Sequence, residues 1–177
     1  MAPQVSVPVI AVVGWAGTGK TTVVERLIPA LRRQGLGRVA AIKHTHHTQL
    51  DVPGKDSDRL RQAGATAVAV SGPQGWALFY SSGHETPPES LVALLYPLGP
   101  FDLVLLEGFK RGPWPKIEVV RKAVNPELLS SPGELVAVVA DIPAGIAGVP
   151  WFTFGEEEKL AAAVVAWLRR HHRGKDT

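Results

Sequence analysis

The sequence predicts an α/β domain built around a largely parallel sheet. Short β-branched runs alternate with amphipathic stretches, the pattern of strands joined by crossover helices. The first strand–helix pair is linked by a glycine-rich loop, "GWAGTGKTT", which ties one strand end to one helix start. A chain of 177 residues should bury about 70% of its unfolded surface, enough for one ordinary core.

The elements follow in order. "VIAVV" is the first strand, and from Lys20 to about Arg33 the residues Val23, Val24, Leu27, Ile28 and Leu31 share one helical face. Pro29 should bend that helix, because it lacks an amide and crowds the preceding turn. "RVAAIK" reads as the second strand and is followed by the polar loop "HTHHTQLDVPGK". "DSDRLRQAG" is a short helix with Asp56 or Ser57 as its cap and Gly64 as its stop.

"TAVAVS" and "WALFYS" are strands, and the Gly-Pro-Gln-Gly between them makes a hairpin turn. "PPESLVALLYPLG" is a helix opening on proline, with Leu91, Leu94, Leu95 and Leu98 expected in the core. "FDLVLLE", "KIEVV", "LVAVVA" and "WFTF" supply further strands. The final helix, "EEEKLAAAVVAWLRRHH", carries acids at its start and bases at its end, matching the helix dipole. No repeat, low-complexity tract or linker divides the chain, so residues 1–177 are expected to form a single domain.

Composition excludes several classes. The longest apolar stretch, "LVALLYPLGPFDLVLL", is broken by Pro97, Gly99, Pro100 and Asp102, so no membrane span is expected. The N-terminus lacks the basic start and small-residue cleavage site of an export signal, which predicts a cytoplasmic protein. Cysteine is absent, removing disulfides and thiolate metal sites. The net charge of +3 owes part of its excess to the terminal "RRHHRGK". No basic face with interleaved aromatics recurs, so no nucleic-acid partner is expected.

Gly14 to Thr21 satisfy G-x-x-x-x-G-K-[ST] between a strand and a helix, the context this phosphate-binding motif requires. The fold expected is therefore P-loop NTPase-like: a twisted, largely parallel sheet flanked by helices, with a β-hairpin extension. Backbone amides of Gly14, Ala16, Gly17, Thr18 and Gly19 should turn inward around phosphates, aided by the helix start. Lys20 should reach the β- and γ-phosphates, Thr21 should ligate Mg²⁺, and Thr22 should donate to the α-phosphate.

Such a site calls for a carboxylate from a second strand. "FDLVLLEGF" places Glu107 at the carboxyl end of its strand, hence beside the phosphate loop if the strands are parallel. Glu107 is the expected metal or metal-water ligand and the group that orients water. Asp102 opens the same strand and reads as structural, while Asp141, closing "LVAVVAD", competes less well.

The loop "KHTHHTQLDVPGKDSDR" gathers His44, His46 and His47 with Lys43, Asp51, Lys55 and Asp56. It offers four readings: a solvated loop, a transition-metal site without recognised zinc spacing, a binding element for a second anionic ligand, or a segment gated by nucleotide. Lys110 and Arg111 of "EGFKR" leave the sheet at the same expected edge, which suits a phosphate-bearing ligand. "DVPG" fits D-x-x-G, although no hydrophobic strand leads into Asp51. The Asn-Lys-x-Asp guanine reader is missing, so the residues alone stop at a purine nucleoside triphosphate with Mg²⁺.

"GWAGTGKTT", "AIKHTHHTQLDVPGKDSDRLRQAGA", "FDLVLLEGFK" and "PKIEVVR" together resemble the MobB family of adapter proteins in molybdopterin-guanine dinucleotide biosynthesis, over about Val9 to Val120. The resemblance implies a GTP-binding protein with weak GTPase activity at most, usually a homodimer. It also implies partners: molybdopterin or a phosphate-bearing derivative, and the molybdenum cofactor guanylyltransferase that joins GMP to it. Residues 14–22, 44–58 and 107–110 carry the family's motifs, while base contacts beyond Val120 are not assigned by it. "GWALFYSSG" is the candidate dimer edge, against an ordinary hairpin on its own core. Two other functions remain open, a small-molecule kinase with Arg59 and Arg61 on a lid, and a nucleotide-gated metallochaperone using the histidines.

Overall fold

The computed structural model describes residues 7–45, 51–143 and 145–172, with His172 through its backbone alone. The chain divides into two compact units, one of residues 1–44 and 92–177, the other of residues 45–91. In sequence, the second unit is an insertion in the first.

The first unit holds a six-stranded sheet with strand order β2-β5-β1-β6-β7-β8. Its strands are β1 (Val9–Val13), β2 (Val39–Lys43), β5 (Leu103–Glu107), β6 (Lys116–Val120), β7 (Leu135–Ala140) and β8 (Trp151–Phe152). Every pairing in this sheet is parallel, as the alternating sequence pattern predicts. The central strands β1, β5 and β6 are buried almost throughout, which is why they read as continuous apolar runs.

Strand alternation separates two faces. Ile10, Val12, Leu103, Leu105, Ile117 and Val119 pack on one side against α1 (Lys20–Arg33) and α4 (Glu157–His172). Ala11, Val13, Val104 and Leu106 form the core of the opposite face with Val92. On α1, Val23, Val24, Leu27 and Leu31 are buried as expected, Ile28 is half-buried, and Pro29 lies within a continuous helix. On α4, Leu160, Ala161, Val164, Val165 and Leu168 recur at three- and four-residue spacing and fill the same layer.

The second unit contains α2 (Asp56–Gln62) and an antiparallel hairpin of β3 (Ala67–Gly72) and β4 (Gly75–Tyr80). The expected cap of α2 is corrected: Lys55 is the N-cap and makes no side-chain cap bond. Asp58, one turn in, accepts the Gly54 amide at 2.9 Å instead. At the other end Gly64 and Ala65 donate back to Arg61 and Leu60, a Schellman closure that fits Gly64 as the stop.

The long leucine helix is also corrected. α3 spans only Pro88–Ala93, and a 3₁₀ turn follows at Tyr96–Leu98. Val92 is the buried residue of α3, Leu91 and Leu95 are half-buried, and Leu94 and Leu98 are 63% and 44% exposed. Pro97 is the reason, since a helix carried through it would set its ring against the Ala93 carbonyl. "WFTF" likewise pairs only at Trp151–Phe152.

Candidate functional site

β1 delivers the chain into the glycine-rich loop. A Cβ on Gly14 would lie 2.3 Å from the Val119 carbonyl oxygen, and its φ of +146° is one that other residues rarely adopt. β1 and β6 can therefore approach this closely only with glycine here. Thr18 is fully buried and donates its hydroxyl to the Trp15 carbonyl at 2.9 Å, which folds the loop onto itself. Gly19 in the left-handed region starts α1 with no side-chain cap, so the first-turn amides face outward, where an anion would meet them.

Period-two alternation then decides which side chains reach this loop. Val39, Leu103, Leu105, Ile117 and Val119 lie on the α1 face, so Lys43, Glu107 and Arg121, an even number of residues further along, share that face. All three sit at the carboxyl edge of the sheet, on strands that flank β1 directly or one strand removed. Glu107 pairs in register with Val12 on one side and Lys43 on the other.

The geometry follows. Thr21, in the first turn of α1, donates its hydroxyl to Glu107 Oε1 at 2.6 Å. The Lys43 ammonium donates to the same carboxylate oxygen at 2.6 Å and to the Thr21 hydroxyl at 2.9 Å. A cation thus already bridges the two oxygens assigned to Mg²⁺ from the sequence. Hydroxyl and carboxylate oxygens are the donors that hard cation prefers, so the set fits it.

Lys20 curls over the loop, donating to the carbonyls of Trp15 at 2.8 Å and Gly14 at 3.2 Å. Its pKa lies below the usual lysine value, chiefly because burial strips its water, then because the Lys110 ammonium repels it. Glu107 opposes that shift and Lys43 reinforces it. Lys110 lies 4.9 Å from the centre of the Trp15 ring, so Trp15 packs under a cation at the loop's rim. Lys20, Lys43 and Lys110 form a cationic cluster around one carboxylate, and a polyanion relieves their repulsion.

Other expected site residues fall as follows. Ala16 and Gly17 are exposed at the loop tip, and Thr22 is exposed on α1. His44 continues the β2 edge, donating its amide to the Glu107 carbonyl at 2.8 Å and setting its ring 5.2 Å from Phe109. His46 and His47 lie outside the described residues. Lys55 and Asp56 open α2 in the second unit, where Asp51 caps its own Val52 amide at 2.7 Å. Arg59 pairs with Asp56 at 3.5 Å, and Arg61 stands over Phe79, so both arginines have partners within that unit.

Asp102 accepts the Arg38 amide at 2.8 Å, the structural role expected of it. Asp141 accepts the Lys122 amide at 2.9 Å, at the end of a strand that β6 separates from β1. Among the described residues, no group of three or more His, Asp or Glu side chains is placed to hold a metal ion. No described helix is long and apolar enough to cross a membrane.

Two residues at the loop were not singled out from the sequence. By sequence Lys43 reads only as a neighbour of the histidines, and Arg121 only as the end of "PKIEVVR". The signal existed: each ends or directly follows a strand, as Glu107 does.

A parallel sheet whose central strand runs through G-x-x-x-x-G-K-T into a helix, with an acid from the adjacent strand on the motif threonine, defines a P-loop NTPase-like protein. The family model for molybdopterin guanine dinucleotide synthesis protein B, MobB, matches residues 9–141, and the chain belongs to that family. It is 38% identical to the molybdopterin-guanine dinucleotide biosynthesis adapter protein of Escherichia coli, over 97% of this chain and 99% of that one. The Haemophilus influenzae protein of the same name is 35% identical, over 94% and 92% of the two chains. The crystal structure of a MobB homolog from Bacillus stearothermophilus superposes with a TM-score of 0.65 at 27% identity, covering 92% of this chain and 99% of that one.

Proposed function

We propose that this protein is a GTP-binding adapter in molybdopterin-guanine dinucleotide biosynthesis, with slow Mg²⁺-dependent GTP hydrolysis. The reading is supported by the relatives' names and, above all, by one observation. Lys20, Lys43 and Lys110 converge on the phosphate loop around a single carboxylate that hydrogen-bonds Thr21.

In this reading the loop amides and the start of α1 hold the β- and γ-phosphates, and Lys20 exchanges its two carbonyl partners for phosphate oxygens. Thr21 and Glu107 would hold Mg²⁺, which when bound neutralises phosphate charge. Lys43 then turns toward the polyanion. Glu107 also orients water, but a carboxylate held by the metal ion would be a poor proton acceptor, and turnover is slow.

The whole chain acts as one nucleotide-binding domain carrying the inserted second unit. The polar loop of the second unit, with His46, His47, Lys55 and Asp56, receives molybdopterin or its phosphate-bearing derivative. The guanylyltransferase is the protein partner, and the setting is the cytoplasm. A homodimer forms through the hairpin, whose Val70, Trp76, Leu78 and Tyr80 are 45%, 61%, 52% and 65% exposed.

The test is titration of the purified protein with GTP, ATP and molybdopterin, each with and without Mg²⁺. Guanine preference with Mg²⁺-dependent affinity and pterin binding supports the reading. Phosphate transfer to a metabolite replaces it with the kinase, and stoichiometric nickel or zinc in untagged protein replaces it with the metallochaperone.

A further inference from the structure

We propose that Arg121, backed by Phe154, is the stacking platform for the base of the bound nucleotide, an inference that rests on the nucleotide-binding reading above. β1 has two neighbours, and they differ in chemistry. On the β5 side stand Glu107, Lys43 and Thr21, where the terminal phosphates belong. A nucleotide anchored there by its phosphates must run its nucleoside end toward the other neighbour, β6, whose chain continues into Arg121.

Arg121 is held in place from two directions. Its Nε donates to the Thr18 carbonyl at 3.2 Å, and its guanidinium carbon lies 4.0 Å from the Phe154 ring centre. A Cβ built on Gly19 would stand 3.7 Å from both Nε and Nη2 of Arg121 and 3.8 Å from Phe154. The pair therefore lies against the last glycine of the phosphate loop, beside the start of α1. Phe154 comes from the segment after β8, so two loops of the carboxyl edge build this corner together. Ligands of open α/β sheets bind along that edge.

The chemistry favours a base over a phosphate. A guanidinium is planar and weakly hydrated, and it stacks on aromatic faces. The Arg121 guanidinium carbon stands over the Phe154 ring, and a base on the far side of the guanidinium completes a three-layer stack. Nε is already spent on a backbone carbonyl, which fixes the tilt of the plane and takes that donor away from phosphate. Stacking reads the π face, which every base has, so this platform adds affinity without choosing guanine over adenine.

Calorimetric titration of wild type and variants with GTP, ATP, GMP and inorganic tripolyphosphate, all with Mg²⁺, tests this. Arg121→Ala should weaken GTP and ATP alike by about 5- to 150-fold, the range for loss of one base–side-chain stack, and leave tripolyphosphate affinity within about twofold. Arg121→Lys, which keeps the charge and loses the plane, should not restore GTP affinity. Phe154→Leu should weaken GTP with tripolyphosphate unchanged, and it carries the test if Arg121→Ala does not fold. Equal losses for GTP and tripolyphosphate, full rescue by lysine, or undiminished GTP affinity in Arg121→Ala would each overturn the platform. Wild-type protein that binds neither GTP nor tripolyphosphate would instead overturn the nucleotide-binding reading itself.

Discussion

Replacing Lys20 by alanine separates the site's binding role from its structural one. The Lys20 ammonium makes two hydrogen bonds, to the Trp15 and Gly14 carbonyls. Phosphate contacts would take their place, each worth about 1.5–3 kcal/mol when charge-assisted. Because bonds are exchanged and not simply added, the net loss in Lys20→Ala should be about 2–4 kcal/mol, roughly a 30- to 1,000-fold weaker Kd. Fluorescent GTP-analogue titration reads this directly.

Stability should move the other way or not at all. Lys20 is desolvated and repelled by Lys110 and Lys43, so its removal relieves strain in the free protein. The sign with pH is definite. The folded pKa lies below the unfolded value of 10.5, so the unfolded chain binds more protons between the two. Wild-type stability relative to Lys20→Ala should therefore rise as pH climbs through the folded pKa toward 10.5, and the lysine's penalty is fully present below that window. A Kd within threefold of wild type, or a wild-type advantage that shrinks with rising pH, would refute the reasoning.

Glu107→Gln keeps the volume and removes the charge beside Thr21, so GTP affinity measured with Mg²⁺ should fall at least tenfold while affinity in EDTA changes little. Equal affinities in EDTA and Mg²⁺ for wild type would contradict this. Glu118 is fully buried and accepts the amides of Leu129 at 2.5 Å and Ser130 at 2.9 Å. Glu118→Ala strands these donors and leaves a cavity, so urea unfolding should show a loss of about 3–5 kcal/mol, and a loss under about 1 kcal/mol would count against it. Glu134 is held down to a pKa of about 2, first by the Lys116 ammonium and then by Ser131. Its contribution is present above the unfolded pKa near 4.5 and lost as pH falls toward 2, so Glu134→Gln should be destabilised at pH 7 and match wild type near pH 2 in denaturant midpoint. Light scattering should read wild type as a dimer and Trp76→Ser with Tyr80→Ser as a monomer, and a monomeric wild type would remove the hairpin interface.

Much of the molecule was legible because it depends on local rules. A strand, a glycine-rich turn and a helix are contiguous, so "VIAVVGWAGTGKTT" reveals β1, the loop and the start of α1 without any distant partner. Glu107 could be placed because a buried parallel strand ends at a known edge. The failures also have local physical causes. Leucine spacing alone predicted a long helix, while Pro97 stopped it at Ala93. Sequence pattern puts the cap of α2 at Asp56 or Ser57, but Asp58, inside the helix, has the reach to accept the Gly54 amide.

Taken alone, then, the sequence determined the alternating architecture, the phosphate loop and the acid opposite it, since these follow from residue periodicity and from neighbours along the chain. Only the tertiary structure decided that Lys43 bridges Glu107 and Thr21, and that Arg121 rests on Thr18 and Phe154. Those contacts depend on the spatial order β2-β5-β1-β6 and on which sheet face each strand end presents. Strand order is set by the packing of the whole core, which leaves no mark in any one segment.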